Sequence, residues 1–152
     1  MTKIFRHEYY LSLAVDEARN AKNDNEVPVG AVVVLKNKII GRGFNQVLKS
    51  NSVSAHAEII AMNKAGEYLK NYRLVNCDLY VSVEPCYMCC MAMVHARIKN
   101  LYFGLKQPKT GAVVSIDNFF SKPEHNHNVA YKYLGECSKS KNLLVDFFAE
   151  RR

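Results

Sequence analysis

The segment Val83-Glu84-Pro85-Cys86-Tyr87-Met88-Cys89-Cys90 is the most informative part of the sequence. Cys86 and Cys89 are three residues apart, so on a helix both thiols lie on one face about one turn from each other. Two thiolates placed in this way can bind the same metal ion, but they do not complete a zinc site. The segment therefore predicts part of a metal site, with a further ligand supplied from elsewhere in the chain.

A third ligand is available upstream, in the segment Ala55-His56-Ala57-Glu58. His56 supplies an imidazole, and Glu58 supplies a carboxylate two residues later. With Cys86 and Cys89, His56 makes a three-ligand zinc site with an open fourth position, the arrangement of catalytic rather than structural zinc. The combined pattern, His-x-Glu followed by Pro-Cys-x-x-Cys, matches the signature of zinc-dependent nucleobase deaminases.

Length and composition narrow the class of protein. The 152 residues, 49% hydrophobic and 23% charged, predict one globular domain spanning residues 1–152. Five cysteines, an odd number, indicate metal binding in a reducing cytoplasm better than a disulfide framework. The polar N-terminal segment and the absence of a long apolar run predict a cytoplasmic protein without a membrane span. The net charge of +7 suits a polyanionic partner such as nucleic acid.

Hydrophobic periodicity predicts alternating helices and strands. Residues 46–54 are predicted to form a loop, with Ser54 as the N-cap of the helix that carries His56 and Glu58. The predicted helices are residues 6–24, the segment from Ser54 to Leu69, residues 86–96, a short helix at 118–120 and a closing helix from about Gly135. The predicted strands are residues 27–35, 39–45, 77–83, 99–104 and 129–133. This order predicts an α/β fold, a three-layer α/β/α sandwich with a mixed five-stranded sheet.

The residue types of the motif suit hydrolytic deamination. Removing an exocyclic amino group needs a water that is nucleophilic near pH 7, which a zinc ion provides. The reaction also needs a proton carrier, and Glu58 is available because it is not required as a ligand. Pro85 is predicted in the first turn of the helix after it, so that the thiolates lie at a helix N-terminus, where the macrodipole favours anions.

Segments along nearly the whole chain extend the match beyond the metal motif. They include Glu26-Val27-Pro28-Val29-Gly30-Ala31-Val32, Gly43-Phe44-Asn45, Asn71-Tyr72-Arg73-Leu74, Lys109-Thr110-Gly111-Ala112, Asn126-His127 and Asp146-Phe147-Phe148. With them the chain resembles the family of bacterial tRNA-specific adenosine deaminases, within the cytidine deaminase-like superfamily. The resemblance implies a homodimer with one Zn²⁺ per subunit on His56, Cys86 and Cys89, and Glu58 as proton shuttle. It also implies conversion of adenosine to inosine at the wobble position of a tRNA anticodon stem-loop.

The resemblance further implies which residues contact the substrate. Asn45 would hold the flipped base, and Val29, Ala57 and Val83 would line its pocket. A second set of residues corresponds to the region that binds the anticodon loop in relatives: Lys109, Asn126, Phe148, Arg151 and Arg152. Phosphate neutralisation and the stacking of splayed bases on aromatic rings would supply the binding energy.

Two positions depart from the family pattern, and two other functions stay open. Cys90 stands where relatives carry a small residue, and its direction on a helix favours a buried side chain over a ligand. Gln107 stands where many relatives have an acid near the substrate. One alternative function is deamination of a free base or nucleotide, such as guanine or cytosine. The other is a zinc-stabilised RNA-binding module without catalysis, which the presence of Glu58 argues against.

Overall fold

The structure, a computed structural model, describes residues 3–135 and 138–150. Within these residues, a five-stranded sheet is flanked by helices on both faces, which confirms the predicted fold class. The helices are α1 (Lys3–Asn23), α2 (Val47–Ser50), α3 (Ala57–Leu69), α4 (Tyr87–Ala96) and α5 (Ser138–Ala149), with a 3₁₀ turn at Phe119–Ser121. The strands are β1 (Gly30–Leu35), β2 (Lys38–Phe44), β3 (Asp78–Val83), β4 (Asn100–Leu105) and β5 (Ala130–Tyr133).

The sheet changes from antiparallel to parallel pairing at β3. The strand order is β2-β1-β3-β4-β5, with β1 antiparallel to both of its neighbours. Strands β3, β4 and β5 are parallel. The carboxyl ends of β3 and β4 therefore lie at the same edge of the sheet, next to the beginning of β1. The segment that carries Cys86 leaves the sheet at this edge.

Successive side chains of the buried strands point to opposite faces of the sheet, and this divides the core into two layers. Ala31, Val33, Leu79 and Val81 pack with residues of α3 and α4. Val32, Val34 and Tyr80 pack with Tyr10 of α1 on the other face. Because both faces are covered, these strands are nearly continuous apolar runs, which is why the sequence pattern identified them.

Strand β2 lies very close to α3. A Cβ atom added to Gly43 would lie 2.5 Å from the carbonyl oxygen of Ala57 and 2.7 Å from the backbone nitrogen of Ala61. Only glycine leaves room for the helix backbone at this distance. The contact fixes the first turn of α3 against the sheet, and that turn holds Glu58.

Two predictions about the segment before α3 were wrong. Residues 46–54 contain the short helix α2 rather than only a loop. Helix α3 begins at Ala57 with His56, not Ser54, as its N-cap residue. The hydroxyl of Ser54 instead lies 3.1 Å from that of Ser52, because the chain turns tightly there and the His56 N–H donates to the Ser54 carbonyl at 2.8 Å.

The predicted position of Pro85 was also wrong by two residues. Helix α4 begins at Tyr87 with Cys86 as its N-cap residue, so Pro85 lies before the helix. Its carbonyl oxygen accepts a hydrogen bond from the Ala112 N–H at 2.9 Å, which holds it in the connection from β3. Cys86 and Cys89 nevertheless lie at the helix N-terminus, as predicted.

Candidate active site

Three potential metal ligands converge from the beginnings of two helices. The Nδ1 atom of His56 lies 3.6 Å from the Sγ of Cys86 and 3.5 Å from the Sγ of Cys89. A tetrahedral zinc with Zn–S bonds of about 2.3 Å and Zn–N bonds of about 2.0 Å requires N···S separations of about 3.6 Å. The donor set and its spacing therefore fit zinc, and Nδ1 is the His56 nitrogen that lies near the two sulfurs.

The electrostatics of the site favour a thiolate. Hydrogen bonding to the Cys89 thiol and contact with His56 lower the pKa of Cys86 to about 4, although burial opposes the shift. The position of Cys86 at the N-cap of α4 adds the positive end of the helix dipole. Metal binding requires thiolates, so this environment prepares the site for a cation.

Glu58 lies in the first turn of α3, beside the metal ligands. Its side chain is only 3% exposed, and this burial is the main cause that raises the pKa of its carboxyl group to about 7. The negative charge of Cys86 acts in the same direction. A carboxyl group with a pKa near 7 can both accept and donate a proton at neutral pH.

A cavity of about 400 Å³ opens beside these residues. This volume lies in the range of small-molecule sites, roughly 300–1,000 Å³. His56, Glu58 and Cys86 form part of its wall. The other residues that line it are Asn25, Glu26, Val27, Val29, Asn45, Val47, Leu48, Ala57, Val83, Glu84, Gln107, Thr110 and Phe147. All four residues predicted to contact the base, Asn45, Val29, Ala57 and Val83, are therefore placed around one cavity.

The residues predicted to bind RNA do not lie around a single cavity as the base-contacting residues do. Lys109 is exposed in the loop after β4, and Phe148 is 48% exposed on α5. Asn126 does not line the catalytic cavity; it lies beside α4, where its Oδ1 accepts a hydrogen bond from Arg97 at 3.4 Å. Arg151 and Arg152 lie outside the described residues.

The two departures from the family pattern have different surroundings. Cys90 is fully buried, and its thiol contacts the carbonyl oxygen of Pro85 at 3.8 Å. Within the described residues, the candidate ligand cluster consists of His56, Cys86 and Cys89, without Cys90. Gln107, in contrast, lines the cavity and is available to a ligand there.

Sequence reasoning did not identify two buried carboxylates on the cavity wall. Glu26 is 1% exposed, and its two oxygens accept hydrogen bonds from the N–H groups of Leu48 at 3.1 Å and Lys49 at 2.8 Å, at the beginning of α2. Glu84 is 3% exposed and accepts hydrogen bonds from the loop after β4. Neither position carries a sequence signal, because the groups that donate to these carboxylates lie more than 20 residues further along the chain.

Comparison with known proteins agrees with this geometry. Residues 5–105 match the family described as the cytidine and deoxycytidylate deaminase zinc-binding region. The chain is 46% identical over 145 residues to the tRNA-specific adenosine deaminase of Agrobacterium fabrum strain C58, covering 95% of each chain.

Solved structures show the same fold. One, from a study of A-to-I editing by tRNA:A34 deaminases at the wobble position of transfer RNA, has 42% sequence identity and a TM-score of 0.85, covering 90% of this chain and 99% of that one. The guanine deaminase of Bacillus subtilis is 34% identical with a TM-score of 0.64, covering 95% and 93%. The metal-ligand geometry and these similarities place the chain in the zinc-dependent deaminase family, in the branch of the tRNA-specific adenosine deaminases.

Proposed function

We propose that this protein is a zinc-dependent hydrolase that converts adenosine to inosine at the wobble position of a tRNA anticodon. The observation that carries the proposal is the buried Glu58, with a pKa near 7, beside the His56, Cys86 and Cys89 cluster at one cavity. The relatives named tRNA-specific adenosine deaminase support the choice of substrate. Residues 1–152 act as a single catalytic domain.

The chain's own residues account for the proton transfers. Zinc held by His56, Cys86 and Cys89 would lower the pKa of water toward neutrality. The Glu58 carboxylate accepts a proton from the attacking water and donates it to N1 of the adenine ring. It then transfers a second proton from the added hydroxyl to the amine, which leaves as ammonia while the C6 carbonyl of inosine forms.

The cavity wall suits a single flipped base. Val29 and Val83 present apolar surface, and the Asn45 side chain supplies an amide that can hydrogen-bond to the base or its ribose. Asn45 lines the cavity and is only 7% exposed, so an unsatisfied amide there would be unfavourable. The pocket therefore binds most favourably a base whose hydrogen-bonding groups complement this amide.

The RNA outside the pocket is held by charge and stacking. Lys109 and the terminal arginines Arg151 and Arg152 neutralise phosphates, and the exposed ring of Phe148 stacks on a loop base. Asn126 lies away from the catalytic cavity of its own chain, so it serves the cavity of a second subunit in a homodimer. An apolar groove of about 630 Å³ between α3 and α4 supports such an interface.

The enzyme would act in the cytoplasm, where tRNA and reduced cysteines are both available. Among the described residues, no helix is both long and apolar enough to cross a bilayer.

The direct test uses the purified, zinc-loaded protein and an anticodon stem-loop with adenosine at the wobble position. We expect inosine at that position, measured by nuclease digestion and mass spectrometry, and none in a stem-loop with guanosine there. Unchanged adenosine would refute the proposal. Ammonia release from free guanine or cytosine would then select a small-base deaminase, and RNA binding without any ammonia release would select a non-catalytic module.

A further inference from the structure

Glu84 is a buried carboxylate that the proposed reaction does not use. It lies between the last residue of β3 and Pro85, two residues before the ligand Cys86. We propose that Glu84 is a positioning residue that holds residues 107–115, here called the wall loop, against the catalytic cavity and thereby sets the affinity for the RNA substrate. The affinity part of this inference rests on the proposed function, whereas the positioning part does not.

Both oxygens of Glu84 are occupied by the wall loop. Its Oε1 accepts hydrogen bonds from the Gln107 N–H at 3.1 Å and from the Ser115 hydroxyl. Its Oε2 accepts from the N–H groups of Val114 at 2.9 Å and Ser115 at 3.0 Å. Within the described residues, these four donors come from both ends of the wall loop, so one carboxylate joins the two ends.

The middle of the wall loop also lies directly on this side chain. A Cβ atom added to Gly111 would lie 2.3 Å from the Glu84 Cδ and 2.6 Å from the Gln107 carbonyl oxygen. The next residue, Ala112, donates its N–H to the Pro85 carbonyl oxygen at 2.9 Å. The wall loop is therefore folded around the Glu84–Pro85 segment and not around a helix or strand of its own.

The position of the wall loop matters for the cavity. Gln107 and Thr110 line the cavity together with Asn45 and Val29, and Lys109 between them in sequence is exposed to solvent. If the wall loop moved outward, the cavity would lose the part of its wall that Gln107 and Thr110 form, and Lys109 would move with them. The metal ligands would stay in place, because His56, Cys86 and Cys89 are set by the first turns of α3 and α4.

The test is the Glu84→Gln variant. In this variant an NH2 group, which cannot accept a hydrogen bond, replaces one of the two oxygens that accept from the wall loop. Replacing a charged acceptor of several hydrogen bonds should raise the KM for the anticodon stem-loop about tenfold or more. The kcat should change by less than about threefold, because the lost interactions stabilise the bound substrate and the transition state equally. Zinc should remain at one per chain. Trypsin cleavage after Lys109, followed by mass spectrometry, should become about tenfold faster as the loop is released.

Three further variants separate positioning from general damage. Gly111→Ala displaces the wall loop without altering the carboxylate and should reproduce the higher KM and the faster cleavage. Ser115→Ala removes one of the four donors, so both effects should be smaller. Glu17→Gln makes the same chemical change on α1, in the ion pair of Glu17 with Arg42 of β2, and should leave the KM, the kcat, the zinc content and the cleavage rate at their wild-type values.

The inference is overturned if Glu84→Gln leaves the cleavage rate at Lys109 and the KM unchanged, or if it removes zinc. If Glu84→Gln does not fold, the same two measurements on Gly111→Ala decide the question. If the wild-type protein does not modify the stem-loop, the proposed function fails. The cleavage rate at Lys109 still reports whether Glu84 holds the wall loop.

Discussion

At the scale of the residue, the proton transfer proposed for Glu58 depends on the burial of its carboxyl group. Replacing it with glutamine keeps the shape of the side chain but removes the group whose pKa burial brings to about 7. We expect Glu58→Gln to lower kcat for inosine formation by about 100- to 10,000-fold, the usual contribution of general acid–base catalysis. Zinc content, measured by atomic absorption, should not change. A variant that keeps a wild-type kcat would remove Glu58 from the mechanism.

The adjacent residues Cys89 and Cys90 provide a second test at this scale. The Cys89 sulfur lies 3.5 Å from the His56 ring nitrogen, whereas the Cys90 thiol points to the Pro85 carbonyl. Cys89→Ala should therefore lose zinc and activity together, because two ligands hold the ion far less tightly than three. Cys90→Ala should retain one zinc per chain by the same metal analysis. Loss of zinc from the Cys90 variant would show that ligation has been misassigned.

Residue types indicated the candidate ligands and the proposed proton carrier, because this chemistry is restricted to a few kinds of side chain at short spacings. Glu26 and Glu84 were not identified, since a carboxylate that accepts backbone hydrogen bonds leaves no pattern in the sequence. The donors to Glu84 lie 23 to 31 residues further along the chain. Only the folded arrangement brings those donors to it.

At the scale of the element, the close contact between β2 and α3 determines how Glu58 is placed. A Cβ atom on Gly43 would meet the helix backbone at 2.5 Å, so Gly43→Ala must push the first turn of α3 away. We expect the free energy of unfolding to fall by about 1–3 kcal/mol, as for other overpacked contacts, with kcat reduced as well. Urea denaturation and the stem-loop assay measure these effects.

The matched control lies in the same helix. A Cβ atom on Gly66 would meet its nearest neighbour, the Asn71 carbonyl oxygen, at an ordinary 3.4 Å. Gly66→Ala should therefore raise the free energy of unfolding by about 0.5–1 kcal/mol, because alanine restricts the unfolded chain and favours helix. Equal losses of stability in the two variants would mean that helix composition, and not the contact with β2, causes the effect.

Elements were predicted well where hydrophobic pattern governs them and poorly where single contacts do. The strands β1 and β3 are buried on both faces, so their apolar runs were clear in the sequence. Helix α2 has four residues without buried side chains, and it depends on the distant Glu26 carboxylate. Ser54 had the best capping side chain near α3, but the tight turn before the helix gives the N-cap position to a metal ligand.

At the scale of the whole molecule, zinc should act as a cross-link between two helices on the same face of the sheet. His56 precedes α3, and Cys86 and Cys89 begin α4, so an ion bound to all three ties two helices together. A chelator should lower Tm by about 6–12 °C, which corresponds to a loss of roughly 3 kcal/mol for a chain of this length. Scanning calorimetry with and without added zinc gives the value.

A variant that cannot bind zinc supplies the control. Cys86→Ser should show a low Tm from the outset, and neither chelator nor added zinc should change it by more than about 1 °C. A wild-type Tm that does not respond to the chelator, with zinc removal verified by metal analysis, would contradict a stabilising role for the ion.

The two buried carboxylates of the cavity wall determine how the entropy cost of RNA binding is shared between the protein and the RNA. Glu26 fixes α2 and Glu84 fixes the wall loop through hydrogen bonds that form on folding. Ordering a mobile side chain on association costs about 0.5–1.5 kcal/mol, and walls that are already rigid avoid much of this loss. Most of the conformational entropy that is lost on binding is then lost by the nucleic acid. Anticodon loops whose wobble base is already unstacked should consequently be the faster substrates.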